Sequence, residues 1–210
     1  MWEPTLRFQF EDRAKQAHAA RLGMWVFLVS EMLLFGALFA LYAAYRTTYP
    51  AAFAGATRLT DLTLGTANTY VLVTSSLVVA LSLAAARRAL GRLAGGLLAL
   101  ALAMGALFLV LKGVEYSAHF REGLYPGTYY RYAGMPDRGA QVFFSLYYLM
   151  TGLHALHVLI GMIVLAWLAW LALRGRFGPD GDTPLELGAM YWHFVDIIWL
   201  FLWPMFYLIH

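Results

Sequence analysis

Long runs of apolar residues alternate with short polar segments along this chain. A bilayer core of about 30 Å is crossed by roughly 20 helical residues, and five of the runs reach that length. They extend over about 22–45, 68–86, 93–116, 140–173 and 185–209. Because backbone polar groups inside lipid must bond within their own segment, we expect all five to be α-helices. The pattern predicts an all-α integral membrane bundle of five transmembrane helices, forming one domain over residues 1–210.

Lysine and arginine in the polar segments predict the orientation of the bundle. Nine of them lie in segments on one side of the predicted spans: Arg7, Arg13, Lys15, Arg21, Arg87, Arg88, Arg92, Arg174 and Arg176. Five lie on the other side: Arg46, Arg58, Arg121, Arg131 and Arg138. Since cytoplasmic segments carry the excess of basic residues, we expect the N-terminus in the cytoplasm and the C-terminus outside.

Composition supports a membrane protein and excludes several kinds of site. Hydrophobic residues make up 61% of the chain and charged residues 13%, whereas soluble domains carry about 25% charged residues. The net charge of +3 comes from basic residues that separate apolar runs, so we predict no nucleic-acid partner. The absence of cysteine excludes disulfides, thiolate metal sites, iron–sulfur clusters and cysteine nucleophiles.

Ionisable residues interrupt the first, fourth and fifth predicted spans. Burying an ionisable group in a membrane costs a few kcal/mol or more, so we expect each of these residues to have a partner. The two pairs in the later spans have a spacing of three residues, which places each pair on one helix face. At about 1.5 Å per residue, the groups of the first and fifth spans lie at similar depths. We predict one buried polar cluster that joins the three spans through Glu31, His154, His157, His193 and Asp196.

A second and smaller polar group is predicted near the outer face. Lys112 and Glu115 again have a spacing of three residues, and Asn68 enters the second span at a similar depth. We expect these three side chains to lie together.

Four roles are open for the buried polar cluster. Histidines on neighbouring helices can be axial ligands of a b-type haem, and Glu31, His154, His157 and Asp196 are chemically able to hold zinc or a di-metal centre. A proton relay through Glu31 and the histidines is a third role. The fourth is an interhelical clamp or lipid headgroup site. We favour the fourth role and predict neither a metal site nor catalytic residues, since three histidines with Asp196 on the face of His193 form a poor ligand set.

Four stretches resemble one known family, the subunit III family of the haem–copper cytochrome c oxidases. They are YWHFVDIIWLFLW, GLHALHVLIG, WVFLVSEMLLFGALFALY and LKGVEYS, and the resemblance covers the chain from about Leu22 onwards. It implies a helical companion subunit in a terminal oxidase of the bacterial cell membrane, which reduces oxygen to water with proton pumping. Such a subunit carries no haem or copper. These lie in catalytic subunit I and copper-bearing subunit II, with cytochrome c as donor.

The resemblance also assigns roles to residues. Glu31 matches the buried family glutamate that reacts with carbodiimide, and His154, His157, His193 and Asp196 match polar positions of the late helices. Family members bind phospholipid in a cleft between helix groups and support sustained turnover and proton uptake. The longer members have seven helices, whereas five are predicted here. The two that have no counterpart form one wall of the lipid cleft.

Several neighbouring readings stay open at this point. Quinol oxidases have a similar five-helix subunit III, and some nitric oxide reductases have an accessory subunit of the same family. Two hypotheses from other classes are a stand-alone b-type haem membrane protein and a small transporter, although no substrate cavity is evident from the sequence.

Overall fold

The computed structural model describes residues 8–177 and 182–209, and the regular elements in these ranges are all helical. In chain order they include α1 (Arg13–Thr48), α2 (Pro50–Thr57), α3 (Leu62–Arg87), α4 (Gly91–Arg121), α5 (Arg138–Leu173) and α6 (Thr183–Trp203). A 3₁₀ turn at Gly127–Tyr129 lies in the link before α5, and a π-helical turn at Pro204–Leu208 continues α6. The helices α1, α3, α4, α5 and α6 with its π-helical turn are long and apolar enough to cross a membrane. The predicted five-helix, all-α architecture is therefore confirmed.

Aspartate side chains set where three of the long helices begin. Asp12, Asp61 and Asp137 accept backbone N–H groups of the first turns of α1, α3 and α5, at 2.7, 3.0 and 2.8 Å. Such caps satisfy N–H groups that have no partner inside the helix. Because the cap precedes the apolar stretch, α1 begins at Arg13 rather than near Leu22.

Four helices form a ring around the main core. Helices α3 and α5 face each other across this ring. Helix α4 packs between them on one side, and α6 packs between them on the other. Helix α1 lies outside the ring and packs on α5 and α6. In its most hydrophobic stretch only 11% of α1 is buried, against 61% of α6. Helix α6 is thus the central helix of the bundle, and α1 is peripheral.

Glycines allow the ring helices to approach closely around Trp192, which is fully buried. A Cβ atom on Gly161 of α5 would lie 2.8 Å from the Trp192 ring, and one on Gly105 of α4 would lie 2.9 Å from it. Small residues of this kind allow membrane helices to pack closely, because van der Waals contact is a main attraction between them. The indole of α6 therefore fills the space between α4 and α5.

The end of α6 changes its helical geometry at Pro204. Proline has no N–H to donate, and the chain continues as a wider π-helical turn. Carbonyl groups of this turn accept hydrogen bonds from other elements: Tyr42 of α1 donates to Met205 O at 2.5 Å, and Thr60 donates to Phe206 O at 2.8 Å. These bonds attach the end of α6 to α1 and to the link before α3.

Ion pairs hold the opposite end of α6. Arg21 of α1 lies 2.8 Å from Glu186, and Arg87 of α3 lies 2.6 Å from Asp182. Both carboxylates are at the start of α6, where the helix dipole also favours negative charge. The first turn of α6 is therefore attached to α1 and α3 by charge.

Leucine at Gly161 should destabilise the bundle, because its side chain has no room beside Trp192. Overpacking of this kind costs about 1–3 kcal/mol. Gly152 of α5 is the matched control, since a Cβ there would meet nothing within 4 Å. Thermal unfolding in mild detergent should show a lower midpoint for Gly161→Leu than for Gly152→Leu, and equal midpoints would contradict the close packing.

Candidate functional site

Glu31 and His157 form a hydrogen-bonded pair between α1 and α5. Glu31 Oε2 lies 3.1 Å from His157 Nε2, and both side chains keep a small exposure, 19% and 10%. The other ring nitrogen of His157 lies 2.8 Å from the carbonyl of Leu153. Tyr191 of α6 donates to the His157 carbonyl at 3.1 Å. The pair thus joins α1, α5 and α6 at one point.

The contacts of His157 determine how many protons the pair can hold. A carbonyl only accepts hydrogen bonds, so the Nδ1 atom of His157 must carry a proton. The bond between Nε2 and Glu31 then needs one further proton, which sits on either the imidazole or the carboxyl group. The pair can therefore exchange one proton internally without breaking its hydrogen bond.

His193 is bonded to α3 rather than to the Glu31 pair. Its Nδ1 atom lies 2.6 Å from Ser76 Oγ. Two indoles of α6 make similar bonds to hydroxyls of α3, from Trp192 to Ser75 and from Trp199 to Thr69, each at 3.0 Å. Helix α3 therefore offers a row of hydroxyls that accommodates the ring nitrogens of α6, and this row was not anticipated from the sequence.

His154 and Asp196 lie deeper in the ring than the Glu31 pair. His154 is fully buried, with its ring 5.2 Å from Trp199 and 5.6 Å from Phe108. Asp196 is 4% exposed. Among residues 8–177 and 182–209, no group makes a hydrogen bond to the His154 ring. Asp196 has Ser76 of α3 as its polar neighbour, the hydroxyl that also bonds His193. The five predicted cluster residues thus divide into the Glu31 and His157 pair, the His193 and Asp196 pair at Ser76, and His154 among aromatic rings.

Lys112 and Glu115 of α4 form an ion pair inside the ring, at 2.9 Å. Lys112 is 4% exposed and Glu115 is 1% exposed. The ammonium also donates to the hydroxyls of Tyr147 of α5 and Tyr207 of the π-helical turn, at 2.9 and 2.8 Å. Both tyrosines in turn donate to Glu115 Oε1, at 2.8 and 2.6 Å.

These bonds form a closed network. An ammonium has three N–H donors, and the three partners of Lys112 use all of them. Each tyrosine hydroxyl accepts from Lys112 and donates to Glu115, so the network is satisfied without any outside group. A buried pair offsets its desolvation only when its remaining hydrogen-bonding capacity is met. The network therefore couples α4, α5 and the end of α6.

The predicted outer group differs in one member. Asn68 is fully buried, but no described residue makes a hydrogen bond to its side-chain amide. The two tyrosines take the place expected for it. Tyr147 lies seven residues before His154 and hence on the same face of α5, so its inward direction could have been read from the sequence. The position of Tyr207 depends on the π-helical turn, and Pro204 is the one sequence feature that points to a change of helical geometry there.

A cavity of about 830 Å³ lies between the first turns of α1, the last third of α5 and the first turns of α6. Its wall is polar at the helix ends and apolar further along. The polar part includes Arg13, Gln16, Arg21, Asp182 and Thr183, and the apolar part includes Met24, Phe27, Ile160, Val164, Trp167 and Leu187. A cavity with this distribution fits an amphiphile.

Among residues 8–177 and 182–209, no group of three or more His, Asp or Glu side chains is arranged to hold a metal ion.

Lys112→Met or Glu115→Gln alone should destabilise the protein strongly, because each leaves one buried charge uncompensated. The expected cost is about 3–5 kcal/mol for either single change. The double variant removes both charges and keeps an acceptor for the tyrosines, so it should be more stable than either single variant. Unfolding midpoints of the four proteins test this, and simple additivity of the two losses would contradict a coupled network.

Comparison with known proteins relates this geometry to a family. The family described as cytochrome c oxidase subunit III matches residues 7–210. The cytochrome c oxidase subunit 3 of Thermostichus vulcanus is 33% identical over 190 residues, covering 90% of this chain and 86% of that protein. The subunit of the same name from Synechocystis is 30% identical, over 89% of this chain and 74% of that protein.

A third relative carries a different name. The probable quinol oxidase subunit 3 of Staphylococcus saprophyticus is 27% identical over 202 residues, covering 95% of this chain and 93% of that protein. The family match over residues 7–210 includes all five long helices and both bonded polar pairs. The chain belongs to the cytochrome c oxidase subunit III family.

Proposed function

We propose that this chain is the non-catalytic third subunit of a haem–copper terminal oxidase, which reduces oxygen to water with proton pumping in aerobic respiration. Its partners in this proposal are catalytic subunit I and copper-bearing subunit II, with cytochrome c as the donor to the complex. The haem and copper lie in those partners. The chain stabilises subunit I, supports its proton uptake and binds phospholipid, with its N-terminus on the cytoplasmic side of the bacterial cell membrane.

The closed network around Lys112 is the observation that carries the non-catalytic role. All donors of the ammonium and both tyrosine hydroxyls are used inside the network. Because these hydrogen-bonding positions are all used, the network has none free for a substrate or a transferred proton. Its role is therefore to hold the helices in place. His154 likewise contacts aromatic rings rather than a facing histidine. These features support a rigid companion and disfavour a stand-alone b-type haem protein.

The Glu31 and His157 pair supports the proposed part in proton uptake. It holds a shared proton and retains partial exposure at the seam of α1 and α5. A proton acceptor at this seam can influence a neighbouring subunit without a channel through its own ring. In this proposal the pair acts on the neighbouring subunit through its charge.

The cavity between α1, α5 and α6 supports the proposed lipid binding. Its apolar wall at Phe27, Ile160 and Trp167 suits an acyl chain, and its polar end suits a headgroup. The ionisable side chains lie at one end and the apolar side chains continue along the helices. This order matches a phospholipid that lies parallel to the bundle.

A quinol oxidase is the second candidate, and one observation favours it. The staphylococcal quinol oxidase relatives match 95% of this chain and 93% of their own length, which exceeds the coverage of the cytochrome c oxidase relatives. If the chain belongs to a quinol oxidase, subunit II of its complex does not accept electrons from cytochrome c. An accessory subunit of a nitric oxide reductase is the remaining family alternative.

Glu31→Gln should leave the haem absorbance of the partner subunit unchanged, because the amide can donate to His157 and preserve the helix contact. Glu31→Leu is the matched comparison, since it removes the hydrogen bond. We expect both variant complexes to keep the haem spectrum and to lose activity faster during sustained turnover. Loss of the haem spectrum in Glu31→Gln would contradict a peripheral role for this residue.

Purification of the tagged chain from its own membrane in mild detergent tests the whole proposal. We expect a large multi-helix haem–copper subunit and a copper-binding partner to co-purify and to be identified by mass spectrometry. The three family branches are then separated by activity: oxygen consumption with cytochrome c as donor, oxygen consumption with quinol as donor, or consumption of nitric oxide. A chain that purifies alone with a Soret band, abolished by His154→Ala, would replace the proposal with the haem-protein reading.

A further inference from the structure

Three arginines converge where the α3–α4 turn meets the end of α5. Arg88 follows the last residue of α3, Arg92 lies in the first turn of α4, and Arg174 follows the last residue of α5. A Cβ on Gly91 would lie 3.0 Å from the carbonyl oxygen of Ala172. The start of α4 therefore touches the end of α5, and the three arginines form one basic rim.

No acidic partner of the basic rim is found in the described ranges 8–177 and 182–209. All three arginines are exposed, and within the described part of the chain none of them forms a salt bridge. Arg21 and Arg87, at the same end of the bundle, are paired with Glu186 and Asp182. The sequence has no Asp or Glu between residues 87 and 115 or between 137 and 178. Within the described residues, no ion pair therefore compensates the positive charge of the rim.

Arg92 is the member that helix electrostatics does not explain. Arg88 and Arg174 lie at helix C-termini, where the dipole favours a cation. Arg92 lies at the N-terminus of α4, where the dipole opposes one and where no side chain caps the helix. A cation is favoured there when an anion binds beside it, because the first-turn N–H groups then contribute to the same site.

An apolar surface continues from the basic rim along the bundle. Trp170, Leu173 and Leu93 are 47%, 58% and 54% exposed. The guanidinium of Arg174 stacks over the Trp170 ring at 4.0 Å. This contact holds the charge at the edge of the apolar surface that adjoins the basic rim. Gly96, one turn after Arg92, has open space beside it, so the surface of α4 is shallow there.

We propose that the basic rim of Arg88, Arg92 and Arg174 binds the headgroup of an anionic phospholipid, whose acyl chains lie on the apolar surface below it. Charge and apolar area are arranged in the order of a phospholipid, charged at the helix ends and apolar along the spanning segments. An acidic protein segment would match the charge but not the exposed Trp170 and Leu173. The rim lies at α4 and α5, apart from the cavity between α1, α5 and α6, and its test rests on the proposed function only in using the assembled complex.

Lipid titration of the purified complex tests this site. The complex is delipidated in detergent, titrated with phosphatidylglycerol or phosphatidylcholine, and bound lipids are counted by native mass spectrometry. Replacing all three arginines by glutamine should weaken phosphatidylglycerol binding about 100-fold, since each basic residue near an anionic surface contributes roughly a factor of five. Phosphatidylcholine binding should not change.

Two further variants serve as controls. Arg58, Arg121 and Arg131 are exposed at the opposite end of the bundle, and their replacement by glutamine removes the same charge. Lysine at the three rim positions keeps the charge and should retain most of the binding. If the triple glutamine variant does not assemble, Arg92→Gln alone makes the same comparison, with an expected loss of about fivefold.

The outcomes separate the lipid from its rivals. Loss of phosphatidylglycerol in the rim variant, with binding kept in the opposite-end variant, supports the site. Equal loss in both variants would show a general charge effect and would overturn it. Unchanged lipid binding with loss of another subunit from the complex would also overturn it, and would assign the rim to an acidic protein surface.

Discussion

The need to compensate charge in a medium without water is the constraint on which this bundle depends. Inside the ring, the Lys112 ammonium is buried, and its three donors are met by Glu115, Tyr147 and Tyr207. Since these partners come from α4, α5 and the end of α6, satisfying one charge fixes three segments at once. The same geometry places the ammonium 4.9 Å from the Tyr147 ring centroid and 5.5 Å from that of Tyr207.

The same constraint explains why α6 is central. It is attached at its start by Arg21 and Arg87, along its length by hydroxyls of α3, and at its end by Tyr42 and Thr60. Apolar helices have little reason to prefer one rotation in lipid, because lipid tails are as apolar as leucine. Polar contacts at three levels of α6 supply that preference. The Glu31 pair extends it to the peripheral α1.

Sequence patterns were sufficient for the number and type of the long helices, because run length alone decides whether a segment can cross a bilayer. They also gave the ion pair of Lys112 with Glu115, since a spacing of three residues puts two side chains on one face. They did not give the partners across helices. That His193 bonds Ser76, and that Tyr207 replaces Asn68 beside Lys112, depends on which helices are neighbours and how each is rotated. Periodicity within one helix carries no such information.

The π-helical turn at Pro204 has a consequence for the register of the chain end. Each residue of an α-helix advances the side-chain direction by about 100°. A wider turn places one additional residue in the loop of hydrogen bonds, and so rotates everything after it by about that angle relative to a continued α-helix. Tyr207 lies in this turn and accepts a hydrogen bond from Lys112. Gain of a single residue between Trp203 and Tyr207 would therefore leave the composition almost unchanged but rotate the Tyr207 phenol away from the ammonium group that donates to it.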